Sequence, residues 1–380
     1  MKIDYRFVPY GTTAPYPVTK NELWLDVGDR SAPQVLDHHG GDTTAKSAFE
    51  LIVNRYKEFI VSPLSGAKDI TFVLHTSPDL DAICSAWLAI KILTLPDTID
   101  TKDSLKTIER VVSENDQGLV NTNDPKSNWA IVMRTILLIE YSKSDDFSKL
   151  KAGLEFVEKT YVLLEKGGSL EYAAEKMISP KIENALEQAK TLYENDISKS
   201  DIFQVVLPKT EPVFNEELFS RKQTNMIKKK KNADAVILHN PESILFKELA
   251  RWDLTNSPQK QGFDLLIVSK DVNILKDRTL KRYIISTDPL SGFYLKGLGA
   301  KLEKLEQIKE ESMGLPLLKG REILGKGLGR YGNNIKAAWY DGSGHNYTIV
   351  DSPAIENNGK FYCVSCLTIE EIKAALAGFI

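Results

Sequence analysis

Short apolar runs recur through the first third of the chain, and each of them ends at an acidic residue or a histidine. The runs are rich in leucine and β-branched residues, which is typical of strands buried on both faces. We therefore predict a strand at each run: residues 23–25 before Asp26, 34–36 before Asp37, His38 and His39, 70–74 before His75, and 111–112 before Asp116.

Stretches with helical spacing of apolar residues separate these runs, at residues 45–59 and 81–93, and Asp81 is expected to cap the second helix. Strands that alternate with helices predict an α/β fold with a parallel sheet covered on both faces. His38 follows Asp26 by only 12 positions, too few for a strand–helix–strand crossover. These two strands are therefore either antiparallel or joined by a tight excursion.

After residue 126 the predicted secondary structure changes twice along the chain. Residues 127–200 are mostly helical in pattern, and strand-like runs return at 202–207, 235–239, 263–269 and 282–287. A helix at about 297–311, a glycine-rich loop at 320–332, strands at 347–350 and 361–364, and a helix from 368 follow. We predict an α/β domain with a parallel sheet over 1–145, a helical linker or elaboration over 146–201, and a smaller C-terminal α/β domain over 202–380.

Composition narrows the class of protein. The 380 residues are 42% hydrophobic and 27% charged, with a net charge of −3, which argues against a protein that binds duplex DNA. Three cysteines cannot form a disulfide framework, and no apolar run is long enough to span a membrane. The first residues also lack the apolar core of a signal peptide, so we expect a cytoplasmic protein.

Candidate chemistry is concentrated before residue 120. Three of the five histidines fall within residues 38–75, each near aspartates. Ligands of open parallel sheets bind at the carboxyl ends of the strands, where all four predicted runs place these groups. An aspartate at a strand end is, taken alone, usually a turn or cap residue, but that interpretation explains eight such groups poorly. The set is Asp26, Asp37, His38, His39, His75, Asp79, Asp81 and Asp116.

Clustered carboxylates repel one another unless a cation compensates them. Imidazole and carboxylate donors without a thiolate favour two divalent metals, Mn²⁺ first and Mg²⁺, Fe²⁺ or Co²⁺ as alternatives. Zinc with three or four ligands is a further alternative that would leave acids unused. Two metals about 3.5–4 Å apart would activate a water as a nucleophile.

The same residues resemble the signature of the DHH phosphoesterase superfamily. The carrying segments are Asp37-His38-His39, His75-x-x-x-Asp79-x-Asp81, Leu25-Asp26-Val27-Gly28-Asp29 and Asn115-Asp116-Gln117-Gly118. In the family the His-x-x-x-Asp-x-Asp segment comes first and the Asp-His-His segment third, so the order is permuted in this chain. A site assembled at strand ends does not depend on chain order, whereas transfer of the substrate class does.

The resemblance implies a role for each residue. His75 and Asp79 would bind one metal, His38, Asp81 and Asp116 the other, and Asp26 would bridge both. His39 would face the substrate phosphate and, when protonated, stabilise its oxygens or assist the leaving group. Asp37 would not bind a metal itself but would orient a histidine of the site.

A weaker motif lies near the C-terminus. Family members often carry a substrate domain with a Gly-Gly-Gly-His loop, which Gly342, Ser343, Gly344 and His345 resemble with one serine substituted. Taken by themselves, these residues favour a hairpin turn. The resemblance implies that these four residues bind substrate.

The expected function is hydrolysis of a phosphodiester or phosphoanhydride bond in a small phosphorylated substrate by a metal-dependent phosphoesterase. We rank a short oligonucleotide or cyclic dinucleotide first and polyphosphate or pyrophosphate second. The alternatives are a catalytically silent sensor of a nucleotide or phosphate and a mononuclear metal enzyme of another reaction type, such as an amidohydrolase. We expect no membrane partner, and a homodimer is one assembly compatible with the sequence.

Overall fold

The computed structural model shows a mixed α/β protein with two mixed sheets. It describes residues 1–9, 12–39, 43–95, 103–122, 124–209, 231–275, 278–313, 338–341, 349–352, 355–357, 360–362 and 364–379. Gly342, Ser343, Gly344 and His345 lie outside the described residues, as does the glycine-rich stretch 320–332. The chain divides into two compact units, Met1–Glu187 and Gln188–Ile380.

The sheet of the first unit has five strands in the order β1-β5-β2-β4-β3. The strands are β1 (Lys2–Val8), β2 (Glu22–Leu25), β3 (Ser31–Ala32), β4 (Val35–Leu36) and β5 (Asp69–His75). β1 pairs with β5, β5 with β2 and β2 with β4 in parallel, while β3 is antiparallel to β4. The three predicted runs at 23–25, 34–36 and 70–74 are thus strands, and their carboxyl ends lie at one edge.

The short link between Asp26 and His38 is the tight excursion, not an antiparallel pairing of β2 with β4. β3 runs back along β4, with Ser31 opposite Leu36, and a turn through Gln34 at φ +66° reverses the chain. The Asp26 backbone N–H then donates to the Leu36 carbonyl at 2.9 Å, which holds the two strand ends side by side.

Helices cover one face of this sheet. They are α1 (Ala48–Tyr56), continued by a π-helical turn (Lys57–Val61), α2 (Leu80–Thr94), α3 (Asp103–Asp116), α4 (Asn128–Ile139), α5 (Asp146–Glu165) and α6 (Leu170–Met177). α7 (Pro180–Lys199) follows them, and its Tyr193 and Ile197 belong to a core of the second unit. Leu23 and Leu25 of β2 point to the helices, whereas Trp24 packs on the opposite face with Ala14 and Val27. α5 and α6, predicted as part of a helical linker or elaboration, contribute buried residues to the same core.

The prediction of a strand at 111–112 is wrong, because these residues lie inside α3. Leu105, Ile108, Val111 and Val112 are buried at helical spacing, so the two valines belong to an amphipathic face that continues from earlier turns. Asp116 therefore stands at the C-terminal end of a helix and not at the end of a strand.

The second unit has its own six-stranded sheet in the order β10-β11-β9-β8-β7-β6. Its elements are β6 (Asp201–Val205), β7 (Ala233–His239), α8 (Phe246–Arg251), β8 (Leu265–Leu275), β9 (Arg278–Thr287), α9 (Leu298–Met313), β10 (Tyr340–Asp341), β11 (Ile349–Ser352), the hairpin of β12 (Ile355–Asn357) and β13 (Lys360–Tyr362), and α10 (Ile369–Ala377). β7 and β8 are parallel, and the other pairs are antiparallel. No helix in the described ranges has the length and apolarity needed to cross a bilayer.

Candidate metal centre

Asp26 lies at the centre of the candidate site. It follows the last residue of β2 and adopts a left-handed backbone conformation at φ +57°, which is uncommon for a residue with a side chain. Its side chain is 1% exposed. One carboxylate oxygen, Oδ1, lies 3.5 Å from His38 Nε2, and the other, Oδ2, lies 3.4 Å from His75 Nε2. The two oxygens of one carboxylate thus face two different imidazoles.

The first group of potential ligands is Asp26, His75 and Asp79. His75 is the last residue of β5, and its Nδ1 lies 2.9 Å from the Thr76 carbonyl oxygen. Because a carbonyl only accepts hydrogen bonds, this contact assigns the proton to Nδ1 in the neutral ring and leaves Nε2 as a donor of electrons to a metal. His75 Nε2 is 3.8 Å from Asp79 Oδ1.

The second group is His38, Asp81 and Asp116. His38 Nε2 lies 3.2 Å from Asp116 Oδ2 and 3.8 Å from Asp81 Oδ2. The three side chains come from the loop after β4, the first turn of α2 and the end of α3. Distant parts of the chain therefore converge on one imidazole nitrogen.

The prediction that Asp81 caps α2 is wrong, because Asp79 occupies that position and its Oδ1 accepts from the Ala82 N–H at 3.2 Å. Asp81 instead reaches the start of α1. Its Oδ2 accepts from the Ala48 N–H at 2.6 Å, and its Oδ1 accepts from the Phe49 N–H at 3.0 Å. The fully buried Asp81 carboxylate thus contacts both the candidate site and the N-terminus of a second helix.

Asp37 organises the loops around His39. One oxygen, Oδ2, accepts from the Asp29 N–H at 2.6 Å, and Oδ1 accepts from the His39 N–H at 3.0 Å. The same Oδ1 lies 2.7 Å from His39 Nδ1. This carboxylate therefore joins the turn after β2 to the loop after β4 and sets the orientation of the His39 ring. His39 also belongs to a group with Asp26 and His38 whose ligand atoms lie within 4.8 Å of one another.

Buried polar atoms show whether these residues suit a cation. Asp26 Oδ1, His38 Nε2 and Asp116 Oδ2 are buried and have no hydrogen-bond partner within the described part of the chain. Buried polar atoms are otherwise almost always hydrogen-bonded, so three at one place require an explanation. Carboxylate oxygens and imidazole nitrogens directed at each other suit divalent metals, and the residues therefore fit the predicted pair.

The charges at the site are strongly coupled. Burial disfavours ionisation of Asp26, but contacts with His38 and His75 outweigh it and hold the pKa of this carboxyl well below its usual range. Burial and nearby carboxylates raise the pKa of Asp116 to about 6 and that of Asp81 well above its usual value. Burial lowers the pKa of His38 and His75, yet the surrounding aspartates outweigh it and raise both. In the metal-free protein, protons neutralise part of this cluster.

Metal binding should therefore depend on pH. The raised pKa values of His38 and His75 mean that their protonated forms stabilise the metal-free fold below about pH 6.5, and this contribution is lost as the pH rises through the folded values. A metal needs the neutral rings and must displace these protons. We expect Mn²⁺ to raise the melting temperature more at pH 8 than at pH 6, measured by calorimetry with Mn²⁺ or EDTA. An increase that does not change with pH would contradict the proton competition.

Sequence reasoning missed three hydrogen bonds around the site. Asp81 accepts hydrogen bonds from two N–H groups of α1, and no local sequence pattern predicts them because the residues are 32 and 33 positions apart. A hydrogen bond from the Ser77 N–H to Asp146 Oδ1, at 2.9 Å, was equally unforeseen. Asp145-Asp146 at the start of a helix predicts only a cap.

Comparison with known proteins adds nothing to this geometry. No family model, no curated protein and no solved structure matches the chain.

Proposed function

We propose that the first unit is a two-metal phosphohydrolase of the DHH type that cleaves a phosphodiester or phosphoanhydride bond. The observation that carries the proposal is the position of Asp26, whose two carboxylate oxygens face His38 and His75 from separate ligand groups. A carboxylate that bridges two metals requires this arrangement. The four sequence motifs that resemble the DHH phosphoesterases supply the same residues and support the same conclusion.

In this proposal His75 and Asp79 would hold one metal, and His38, Asp81 and Asp116 would hold the other. When bound, two divalent cations supply charge for the phosphoryl oxygens and lower the pKa of an attacking water. Mn²⁺ is the preferred ion, with Mg²⁺ or Co²⁺ as alternatives.

His39 is the proposed acid at the phosphoryl group. Burial and the neighbouring His38 lower the pKa of His39, but Asp37 outweighs them and raises it. The ring is therefore stabilised in its protonated form and can donate to a phosphoryl oxygen or to the leaving group. Asp37 holds Nδ1, so Nε2 is the nitrogen that would donate.

The substrate we propose is small, such as a short oligonucleotide or a cyclic dinucleotide, because the net charge of −3 gives no basic footprint for a long nucleic acid. Every described residue to which this proposal assigns a chemical role lies in the first unit. A role for Gly342–His345 in binding the substrate remains a prediction from the sequence.

The test is metal-dependent phosphate release from pyrophosphate, polyphosphate, linear and cyclic dinucleotides and short single strands. Each substrate is assayed with Mn²⁺, with Mg²⁺ and after chelation, beside Asp79→Ala. We expect turnover of one class that needs Mn²⁺ and is lost in this variant. Asp145→Ala is the matched control, since Asp145 caps α5 as Asp79 caps α2 but belongs to no ligand group in the described structure.

Two negative outcomes differ in meaning. If the wild-type protein binds two metals tightly but hydrolyses none of the substrates, the result would favour a binding protein over an enzyme. Failure of the wild-type protein to bind any divalent metal would overturn the proposed centre itself.

A further inference from the structure

The loop that carries Asp79 needs support from outside the site. This metal loop, residues 76–79, joins β5 to α2. Asp79 is 54% exposed, whereas Asp26, His38, His75, Asp81 and Asp116 are at most 12% exposed. Close packing therefore holds the other five side chains in place, whereas the exposed Asp79 is held by its hydrogen bond from the Ala82 N–H and by the backbone of the metal loop. The backbone conformation of the metal loop has to position this carboxylate.

That conformation is an unusual one. Ser77 has φ +52°, in the left-handed region that costs a residue with a side chain on the order of 1 kcal/mol. The Thr76 N–H donates to the Val8 carbonyl at 2.8 Å, and Pro78 has no N–H to donate. The Ser77 N–H donates to Asp146 Oδ1 at 2.9 Å. Asp146 thus supplies the side-chain acceptor that holds the strained residue of the loop.

Asp146 is itself held in place through its helix. It is the first residue of α5, which packs against α2 so closely that a Cβ at Gly153 would lie 2.6 Å from Ile83 Cγ2. Further along, Glu158 accepts from Trp87 Nε1 and from Lys91 Nζ, both at 2.8 Å. α5 is therefore fixed in register along the helix that begins directly after Asp79.

We propose that Asp146 is a positioning residue for the metal site: it holds Ser77 in the left-handed conformation and so places Asp79 opposite His75. The proposal rests on the proposed metal centre. Its consequence is that α5, which follows every motif of the site in the sequence, determines the affinity of one of the two metals. The metal held by His38, Asp81 and Asp116 does not depend on Asp146.

Titration of the metal-free 380-residue chain with Mn²⁺ tests this, by calorimetry and by electron paramagnetic resonance of the free ion. Changes behind a ligand typically weaken metal binding about 10–100-fold. We expect Asp146→Ala to weaken one of two Mn²⁺ sites by about that factor and to leave the other unchanged. Asp146→Asn keeps an oxygen that accepts from the Ser77 N–H, and it should restore the affinity to within a few-fold of wild type.

A control variant distinguishes loss of the Ser77–Asp146 hydrogen bond from a general disturbance of the start of α5. Asp145→Ala removes the cap of α5, where Asp145 Oδ1 accepts from the Ser148 N–H at 2.9 Å, but leaves Asp146 in place. It should bind both ions as the wild type does. If Asp146→Ala does not fold, Asp146→Glu, which displaces the carboxylate by one methylene, serves instead with the same expected direction.

Three results would overturn the inference: unchanged binding in Asp146→Ala, equal weakening in Asp145→Ala, or no recovery in Asp146→Asn. Each of them presumes a wild-type protein that binds two ions. A wild-type protein that binds none would instead overturn the proposed function, so the two failures are distinguishable.

Discussion

Asp26→Asn is expected to abolish binding of both metals and to reduce phosphohydrolysis by on the order of 10³-fold or more, because one Asp26 oxygen faces His38 and the other faces His75, one imidazole from each ligand group. Asparagine keeps the size of the side chain and tolerates the left-handed backbone at φ +57°, so the fold should survive. The measurement is metal content after dialysis, by mass spectrometry, together with the turnover number on the substrate identified by the panel. Circular dichroism checks that the variant is folded.

Asp29→Asn is the matched control for this variant. Asp29 also has a left-handed backbone, at φ +62°, and lies three residues after Asp26, but its side chain belongs to none of the ligand groups in the described structure. It should keep two metals and near wild-type turnover. Full metal content in Asp26→Asn, or equal loss in Asp29→Asn, would contradict the assignment of Asp26.

Asp81→Ala is expected to cause the largest loss of stability among single substitutions at the site. It leaves the buried N–H groups of Ala48 and Phe49 at the start of α1 without their acceptor, which should lower the free energy of unfolding by on the order of 2–3 kcal/mol, less the repulsion from Asp26 and Asp116 that the substitution relieves. It also removes a proposed ligand, so one metal should be lost. The measurement is urea denaturation in EDTA, which isolates the structural effect from that of the metal.

Asp79→Ala provides the comparison, because Asp79 is also a proposed ligand but is half-exposed and accepts from one helix N–H. Its loss should cost about 1 kcal/mol or less in EDTA. Both variants should bind less metal, and only Asp81→Ala should be strongly destabilised. Equal destabilisation of the two would show that the contact of Asp81 with α1 contributes little.

Local pattern was enough to identify the strands that carry the site. The runs at 23–25, 34–36 and 70–74 are strands whose carboxyl ends meet at one edge, as predicted from their apolar residues and the polar residues that follow. Side-chain type also indicated a cation, because histidines and aspartates so close in sequence have no simple role in a core. The identity of each ligand stays a prediction until a metal is measured.

Local pattern failed where a short apolar segment fits both the periodicity of a strand and that of a helix. Two adjacent valines at 111–112 fit a strand or one turn of a helix, and the preceding Leu105 and Ile108 decide for the helix. The N-cap of α2 was ambiguous for a different reason. Asp79 and Asp81 both lie near the start of α2, and either could have accepted from its N–H groups. Asp81 is directed elsewhere because α1 begins beside it.

The sequence by itself determined the α/β class and the residue types that converge on the candidate site, because burial and periodicity act over a few neighbouring residues. Tertiary structure alone decided the partners of those residues. Asp81 meets α1 from 33 positions away, and Asp146 meets Ser77 from 69. Such contacts depend on how helices pack across the sheet, and no local pattern encodes that packing. The support of the metal loop by α5 is therefore a property of the fold and not of any motif.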